Sequence, residues 1–405
     1  MARFARIRRP WRNWDITALR RNLGVYVHIP FCPAICSYCD FLKFGPKRPK
    51  GLDEASYESS LLREIEARGA WLTEKLRGTG RRVDSIFIGG GTPTMLPAED
   101  LSRLARALVD RFPTEGGAIE FSCEANPDTL DAEKLQALHE AGVNRISIGV
   151  QSSNDRLLKF MGRTHRWTET APILQMVSEG PIRNFSFDLI YGLPNQSVGT
   201  LLDSGRRLLE YRPPHFSAYW LVPEPHTAYT RWARRYPTQI PSDREVLYQQ
   251  HAVECLLRGY GHYRYEVNNY ASPGFESMHN IRYWQGGDYI GLGLGSASRI
   301  GREVVSNPKS HIAWNNAIGV IGSENDPLHR AMQERGTAES APAADSFLQL
   351  RNRLGHELAG LQVNPKWISD GLMEVHDGRL EVRSRGLNLS EQYALELESA
   401  SEQSA

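Results

Sequence analysis

Three cysteines stand within eight residues, in the run Pro30-Phe31-Cys32-Pro33-Ala34-Ile35-Cys36-Ser37-Tyr38-Cys39-Asp40-Phe41. Their spacing is C-x3-C-x2-C. A [4Fe–4S] cluster has four irons, usually held by four thiolates. Three closely spaced thiolates hold three corners and leave the fourth iron free for an exogenous ligand. Structural zinc asks for four ligands, typically two pairs. The remaining cysteines, Cys123 and Cys255, are single and distant, so they fit zinc poorly and read as ordinary buried thiols. Three unliganded loop thiols are the blander alternative, and their placement directly after a strand-like segment argues against it. Five cysteines, an odd and clustered set, point to metal or redox chemistry in a reducing compartment, here the cytoplasm, and not to a disulfide framework.

Other polar residues recur where apolar runs end. Gly89-Gly90-Gly91-Thr92-Pro93-Thr94 follows Ser85–Ile88, and glycines there let backbone approach a ligand closely. Glu124 closes one run, Gln151 another, and Asp188 lies in Phe187-Asp188-Leu189-Ile190-Tyr191-Gly192. One such residue alone is most often a satisfied core hydrogen bond. Several strands that each offer one favour a shared site.

The elements that must position these groups alternate. Strands are expected at 25–29, 85–88, 119–122, 145–150, 185–190 and 216–221, with helices at 55–75, 101–112, 132–141 and 201–211. Strand-helix alternation at this spacing implies a parallel sheet, and six units suit a full or partial barrel, whose reactive groups sit at the C-terminal strand ends. The expected class is α/β: a partial (β/α)6 barrel over 23–225, after a basic extension over 1–22. An α+β extension over 226–300, a linker over 301–345 and a small C-terminal module over 346–405 follow. Seven Arg against one Asp in the first 22 residues read as a solvated extension.

The bulk numbers exclude some classes. With 405 residues, more than one core is expected. A net charge of +1 gives no reason to expect nucleic acid as a partner. No apolar run approaches membrane-spanning length, so no transmembrane segment is expected.

C-x3-C-x2-C with an aromatic before the third cysteine resembles the radical S-adenosylmethionine (SAM) signature. The longer string Tyr26-Val27-His28-Ile29-Pro30-Phe31-Cys32 resembles the superfamily of oxygen-independent coproporphyrinogen III dehydrogenases and their heme-chaperone relatives. The resemblance runs from about 24 to 299 and resumes weakly in the C-terminal module, where 347–354 resembles the start of the family's region and 367–389 its winged-helix-like end, with the stretch between them compressed. It implies a cluster on Cys32, Cys36 and Cys39. It implies SAM on Tyr38, Gly90, Gly91, Thr92, Glu124, Gln151, Arg163 and Asp188, with Tyr26, Val222 and Ala297 as further lining. It also implies an external reductant such as a flavodoxin or ferredoxin.

Two features separate the branches. The dehydrogenase motif continues to a fourth cysteine, where this chain has Phe41. His279-Asn280-Ile281-Arg282-Tyr283-Trp284 matches the HNxxYW segment of the heme chaperones. By that resemblance His279 is an axial heme ligand, and Tyr283 and Trp284 pack on the porphyrin. From chemistry alone His279 reads as a hydrogen-bonded structural histidine. His28, His165 and His226 also read as structural. The expected activity is a heme chaperone that passes heme to an acceptor hemoprotein, with no residue assigned a catalytic role and enzymatic activity left open. The alternatives are oxidative decarboxylation of coproporphyrinogen III and a purely structural or sensing cluster. In one respect the chain departs from the family: Ala297 stands where a histidine is expected.

Overall fold

The computed structural model describes residues 15–114, 119–334, 348–358, 363–390 and 392–393. Eleven strands form one sheet, in the order β11-β10-β9-β1-β2-β3-β4-β5-β6-β8-β7. Its centre is β1 (Leu23–Ile29), β2 (Val83–Gly90), β3 (Glu120–Ala125), β4 (Arg145–Gln151), β5 (Asn184–Tyr191) and β6 (His215–Trp220), all parallel. This is the α/β class and partial parallel barrel expected from the strand-helix alternation. β1 is buried at six of its seven residues, as parallel strands covered on both faces must be.

Residues beyond the sixth strand extend both edges of this sheet. β7 (Tyr263–Arg264) and β8 (Asn269–Ala271) join beside β6 as antiparallel strands. β9 (Tyr289–Leu292) pairs parallel with β1, and β10 (Ala297–Ile300) and β11 (Glu303–Ser306) turn back antiparallel beyond it. β12 (His356–Glu357), β13 (Met373–His376) and β14 (Arg379–Val382) form a separate small antiparallel sheet in the C-terminal module.

The α-helices among the described residues up to Glu334 are α1 (Ile16–Arg21), α2 (Glu54–Leu76), α3 (Ala98–Arg111), α4 (Ala132–Glu140), α5 (Asp155–Met161), α6 (Trp167–Glu179), α7 (Val198–Leu209), α8 (Ala228–Arg235), α9 (Asp243–Gly259), α10 (Met278–Trp284), α11 (His311–Ile318) and α12 (Pro327–Glu334). Local chemistry sets their starts. Asp53 caps α2 in a reciprocal box with Ser56, and Ser242 does the same for α9 with Glu245. α5 ends on Gly162 at φ +77°, the left-handed stop that glycine adopts without strain. α5 and α6 were not expected from the pattern. Pro172 inside α6 disguises a helix that packing on the sheet retains.

Two expectations need correction. The stretch 301–345 is not a linker as far as Glu334. It forms β11, α11 and α12, and Trp314 is fully buried against Tyr57 with its indole N–H donated to Glu64. Its sequence has no long period because each element is short; residues 335–347 lie outside the described residues. The second is the basic extension. Residues 1–14 lie outside the described residues, but α1 is docked: Leu19 is buried, and Arg282 donates to the carbonyls of Leu19 and Asn22. Among the described residues no helix is long and apolar enough to cross a membrane.

Candidate functional site

The cysteine loop leaves the C-terminal end of β1 and is tied at three points. Cys32 N–H donates to the Phe44 carbonyl at 3.0 Å, which closes the loop on itself. Ser37 N–H donates to Met161 at the end of α5, and Tyr229 N–H in α8 donates to the Ser37 carbonyl at 2.7 Å. Lys43 Nζ donates to the carbonyls of Cys39 and Phe41. All three cysteines are free and half-buried. Thr92 Oγ1 lies 3.7 Å from Cys32 Sγ, and Arg163 Nη1 lies 3.6 Å from Cys36 Sγ. Burial pushes the Cys32 thiol up to about 11, eased by the Thr92 hydroxyl and raised by the neighbouring thiols. Among the described residues no three His, Cys, Asp or Glu side chains converge to hold one metal ion. Thiolates that each take a different corner of a cluster need no such convergence.

These thiols open into a cavity of about 380 Å3. It brings together Tyr38, Gly90, Gly91, Thr92, Glu124, Gln151, Arg163, Asp188 and Val222 of the expected SAM set. The glycine turn explains itself sterically. A Cβ on Gly90, at φ +106°, would fall 2.2 Å from His28 Nδ1, and one on Gly91 would fall 2.6 Å from the Phe31 carbonyl. Glu124, on β3, accepts the Gly90 N–H at 3.0 Å. Arg163 Nη2 donates to Asn126 Oδ1 and the Gly149 carbonyl, both at 2.7 Å. Gln151 ends β4 at φ +67°, a strained conformation for a residue with a side chain.

Two buried acids set the electrostatics. Burial raises Glu124 to about 7, against the Gly90 N–H and with help from Asp188. Burial raises Asp188 to about 6, against hydrogen bonds from Ser217 and Ser147. A cavity walled by two carboxylates that resist ionisation is suited to a cationic guest, which would restore their charge. Gln151 Oε1 and Arg163 Nε are buried there without a protein partner, polar groups that a bound ligand would satisfy. These residues fit SAM, whose sulfonium and ammonium are positive and whose carboxylate and ribose take donors and acceptors. They would bind it, orient it beside the cysteine loop and exclude water; a cluster and SAM held there would supply one-electron chemistry.

Tyr26 and Ala297 are not among the residues lining this cavity. Tyr26 sits behind the glycine turn and shares a 2.9 Å hydrogen bond with His28 Nδ1, while His28 Nε2 meets the Leu42 carbonyl. It buttresses the turn. Ala297 begins β10, paired with Ser306. The cavity also includes Asn126, Ser147, Gly149, Tyr219, Trp220 and Glu224, which were not singled out. Asn126 follows a strand end, and that position was the available signal. Ser147 has no signature because a serine in an apolar strand reads as an outward-facing residue.

The HNxxYW segment lies at the other end of the sheet. α10 packs across the N-terminal ends of β1, β2 and β3. Glu120, at the start of β3, accepts the backbone N–H groups of Met278 and His279. Arg282 pairs with Asp84. His279 is fully buried, with Nδ1 3.0 Å from Ser85 Oγ, Nε2 2.9 Å from Tyr283 Oη, and its ring stacked on Phe87. Burial, then Arg282, lowers it to about 3. Trp284 lies under the Arg351 guanidinium. Of the residues that the resemblance assigns to heme, the structure places His279 with both ring nitrogens engaged inside the protein and Tyr283 as its partner. The ring of Phe87 stands between this plug and the cavity: it stacks on His279 at 5.3 Å and, with the Glu124 carboxylate, crowds Gly89 of the glycine turn.

The comparisons agree with this geometry. The radical SAM superfamily model matches residues 26–208. A heme chaperone HemW of Lactococcus lactis is 38% identical over 69% of this chain and 70% of its own length. That of Bacillus subtilis is 36% identical over 82% and 84%, and that of Mycobacterium tuberculosis 32% identical over 91% and 93%. The chain belongs to the HemW family. Membership in the radical SAM superfamily implies the [4Fe–4S] cluster and SAM for which the cavity is furnished. The solved coproporphyrinogen III oxidase HemN of Escherichia coli covers 94% of this HemW-family chain, with 92% of its own length, at a TM-score of 0.67 and 23% identity. At that identity the likeness concerns the fold alone.

Proposed function

We propose that this protein is a heme chaperone. It holds a [4Fe–4S] cluster on Cys32, Cys36 and Cys39, keeps SAM in the adjoining cavity, binds one heme and passes it to an acceptor hemoprotein in the cytoplasm, with an external reductant serving the cluster. The observation that carries this reading is Phe41. Where the dehydrogenase motif continues to a cysteine, this chain has an aromatic side chain, 69% exposed at the mouth of the cavity. Five free cysteines accord with a reducing compartment, and the named HemW relatives are called heme chaperones.

The test is anaerobic. Protein with a reconstituted cluster is incubated with coproporphyrinogen III, SAM and dithionite, and a parallel sample is titrated with hemin. The expected result is no decarboxylation and saturable heme binding. Formation of protoporphyrinogen would replace this reading with the dehydrogenase. No SAM cleavage and no heme binding would leave the cluster a structural or sensing element.

A further inference from the structure

An asparagine side chain has two unlike ends, a carbonyl that accepts and an amide that donates. Asn126 follows β3 and precedes Pro127, and the proline ring restricts it to extended backbone. Its main-chain carbonyl accepts from the N–H groups of Thr129 and Leu130 at 3.1 and 3.2 Å, so the side chain is presented from a fixed turn. It lines the cavity beside the cysteines, yet it is none of the residues that the resemblance assigns to the cluster or to SAM.

Two neighbours settle which end points where. A guanidinium carries donors only, and Arg163 Nη2 lies 2.7 Å from Asn126 Oδ1. The amide nitrogen therefore faces the other way, where Nδ2 donates to Thr92 Oγ1 at 3.0 Å. That bond takes a lone pair of the Thr92 oxygen and leaves its O–H to be given elsewhere. The same oxygen lies 3.7 Å from Cys32 Sγ, and Thr92 is buried, so water does not compete for the proton. On the other side, Arg163 Nη2 gives its two hydrogens to Asn126 and to the Gly149 carbonyl, which leaves Nη1 facing Cys36 Sγ at 3.6 Å. A Cβ on Gly149 would fall 2.9 Å from Asn126 Oδ1, so the brace passes where β4 has no side chain.

We propose that Asn126 is a positioning residue for the cluster: it aims the Thr92 hydroxyl at Cys32 and the Arg163 guanidinium at Cys36, so that two of the three sulfurs receive a donor. Hydrogen bonds to cluster sulfurs favour the reduced, more negative state and so raise the reduction potential. Asn126 thereby sets how readily the cluster accepts an electron without itself touching a sulfur. The proposal rests on the cluster part of the reading above and is independent of where heme binds.

The full chain with a reconstituted cluster and no SAM is titrated with dithionite, and the midpoint potential is read from the electron paramagnetic resonance of the reduced cluster. Asn126→Ala is expected to lower the potential by at least about 59 mV, a tenfold loss in the one-electron equilibrium. Thr92→Val should lower it as well, and Thr92→Ser, which keeps the hydroxyl, should not. Asn126→Asp keeps the shape and the acceptor for Arg163 but draws the Thr92 hydroxyl to itself. It should therefore shift the potential more in the unaltered background than in Thr92→Val. The added charge acts alike in both backgrounds, so the difference isolates the hydroxyl. An unchanged potential in Asn126→Ala, or equal shifts of Asn126→Asp in the two backgrounds, overturns the proposal. The second comparison decides if Asn126→Ala assembles no cluster. Failure of the unaltered protein to assemble a cluster overturns the cluster assignment itself, whereas equal potentials leave that assignment standing.

Discussion

Glu124 carries a charge that its surroundings resist. Its ordinary value of 4.5 is raised to about 7 by burial, and that of Asp188 from 3.8 to about 6. An acid raised in the folded state binds more protons there than in the unfolded chain. Its contribution to stability is therefore fully present below its unfolded value and lost as pH rises through the folded one. The ligand-free protein is expected to lose stability as pH rises from 3.8, the ordinary value of Asp188, to about 7, the raised value of Glu124, measured by denaturant melts across that window. A cationic ligand favours the ionised carboxylates, so SAM binding should release protons below pH 7 and tighten as pH rises toward 7. Calorimetry in two buffers of different ionisation enthalpy reads this directly. Glu124→Gln should flatten the pH dependence and weaken SAM at least tenfold; a variant that keeps the slope would remove Glu124 as its source. Phe41, in contrast, was legible from its place in the motif, as were the three cysteines. His279 was legible in two ways, as a hydrogen-bonded structural histidine from its chemistry and as a heme ligand from the resemblance. Whether a histidine points to solvent or to Ser85 and Tyr283 is a matter of which strand ends its helix covers. His279→Ala leaves two buried hydroxyls without partners and a void, so a loss of about 3 kcal/mol is expected in equilibrium unfolding. Unaltered stability would show that the plug is not held by this residue.

The glycine turn after β2 and the strap that follows β10 decide the elements. Gly90→Ala forces a Cβ onto His28 at a positive φ and should displace the turn. Loss of SAM binding together with a destabilisation of at least about 1 kcal/mol is expected; tight SAM binding in that variant would mean the turn does not form the cofactor wall. On the outer side, Arg68 of α2 and Asp326 before α12 form a pair with side-chain exposures of 6% and 4%. Asp326→Ala strands a buried guanidinium and should cost about 3–5 kcal/mol, while Arg68→Met/Asp326→Leu should recover most of it. Chemical denaturation of both variants measures this. An Asp326→Ala protein as stable as the unaltered chain would return 301–334 to the status of a linker. The alternating strands and long amphipathic helices were readable because one period persists over each. The short elements of 301–334 and the Pro-interrupted α6 were not, since their places are set by contacts with α2 and the sheet.

At the scale of the whole molecule the barrel has two unlike ends. The C-terminal strand ends carry the cysteines, the glycine turn and the two raised acids, open to solvent through an aromatic rim. The N-terminal ends are stoppered by α10, with Glu120 capping its first amides and Arg282 bridging to α1 and Asp84. Such a division is general for parallel barrels, where one face holds chemistry and the other stability. The C-terminal module is tethered to the same lower region: Gln285 Nε2 donates to Asn352, and Arg20 pairs with Glu357. By itself the sequence indicated the candidate cluster cysteines, the cofactor class that the superfamily implies and the parallel α/β order, because each depends on residue type at short spacing or on a sustained period. Only the tertiary structure decided which histidine faces solvent, that Tyr26 stands behind the cofactor wall and that the apparent linker is a packed strap. Those outcomes depend on contacts between segments hundreds of residues apart, such as Ser85 with His279, and no local pattern encodes which partner such a side chain will meet.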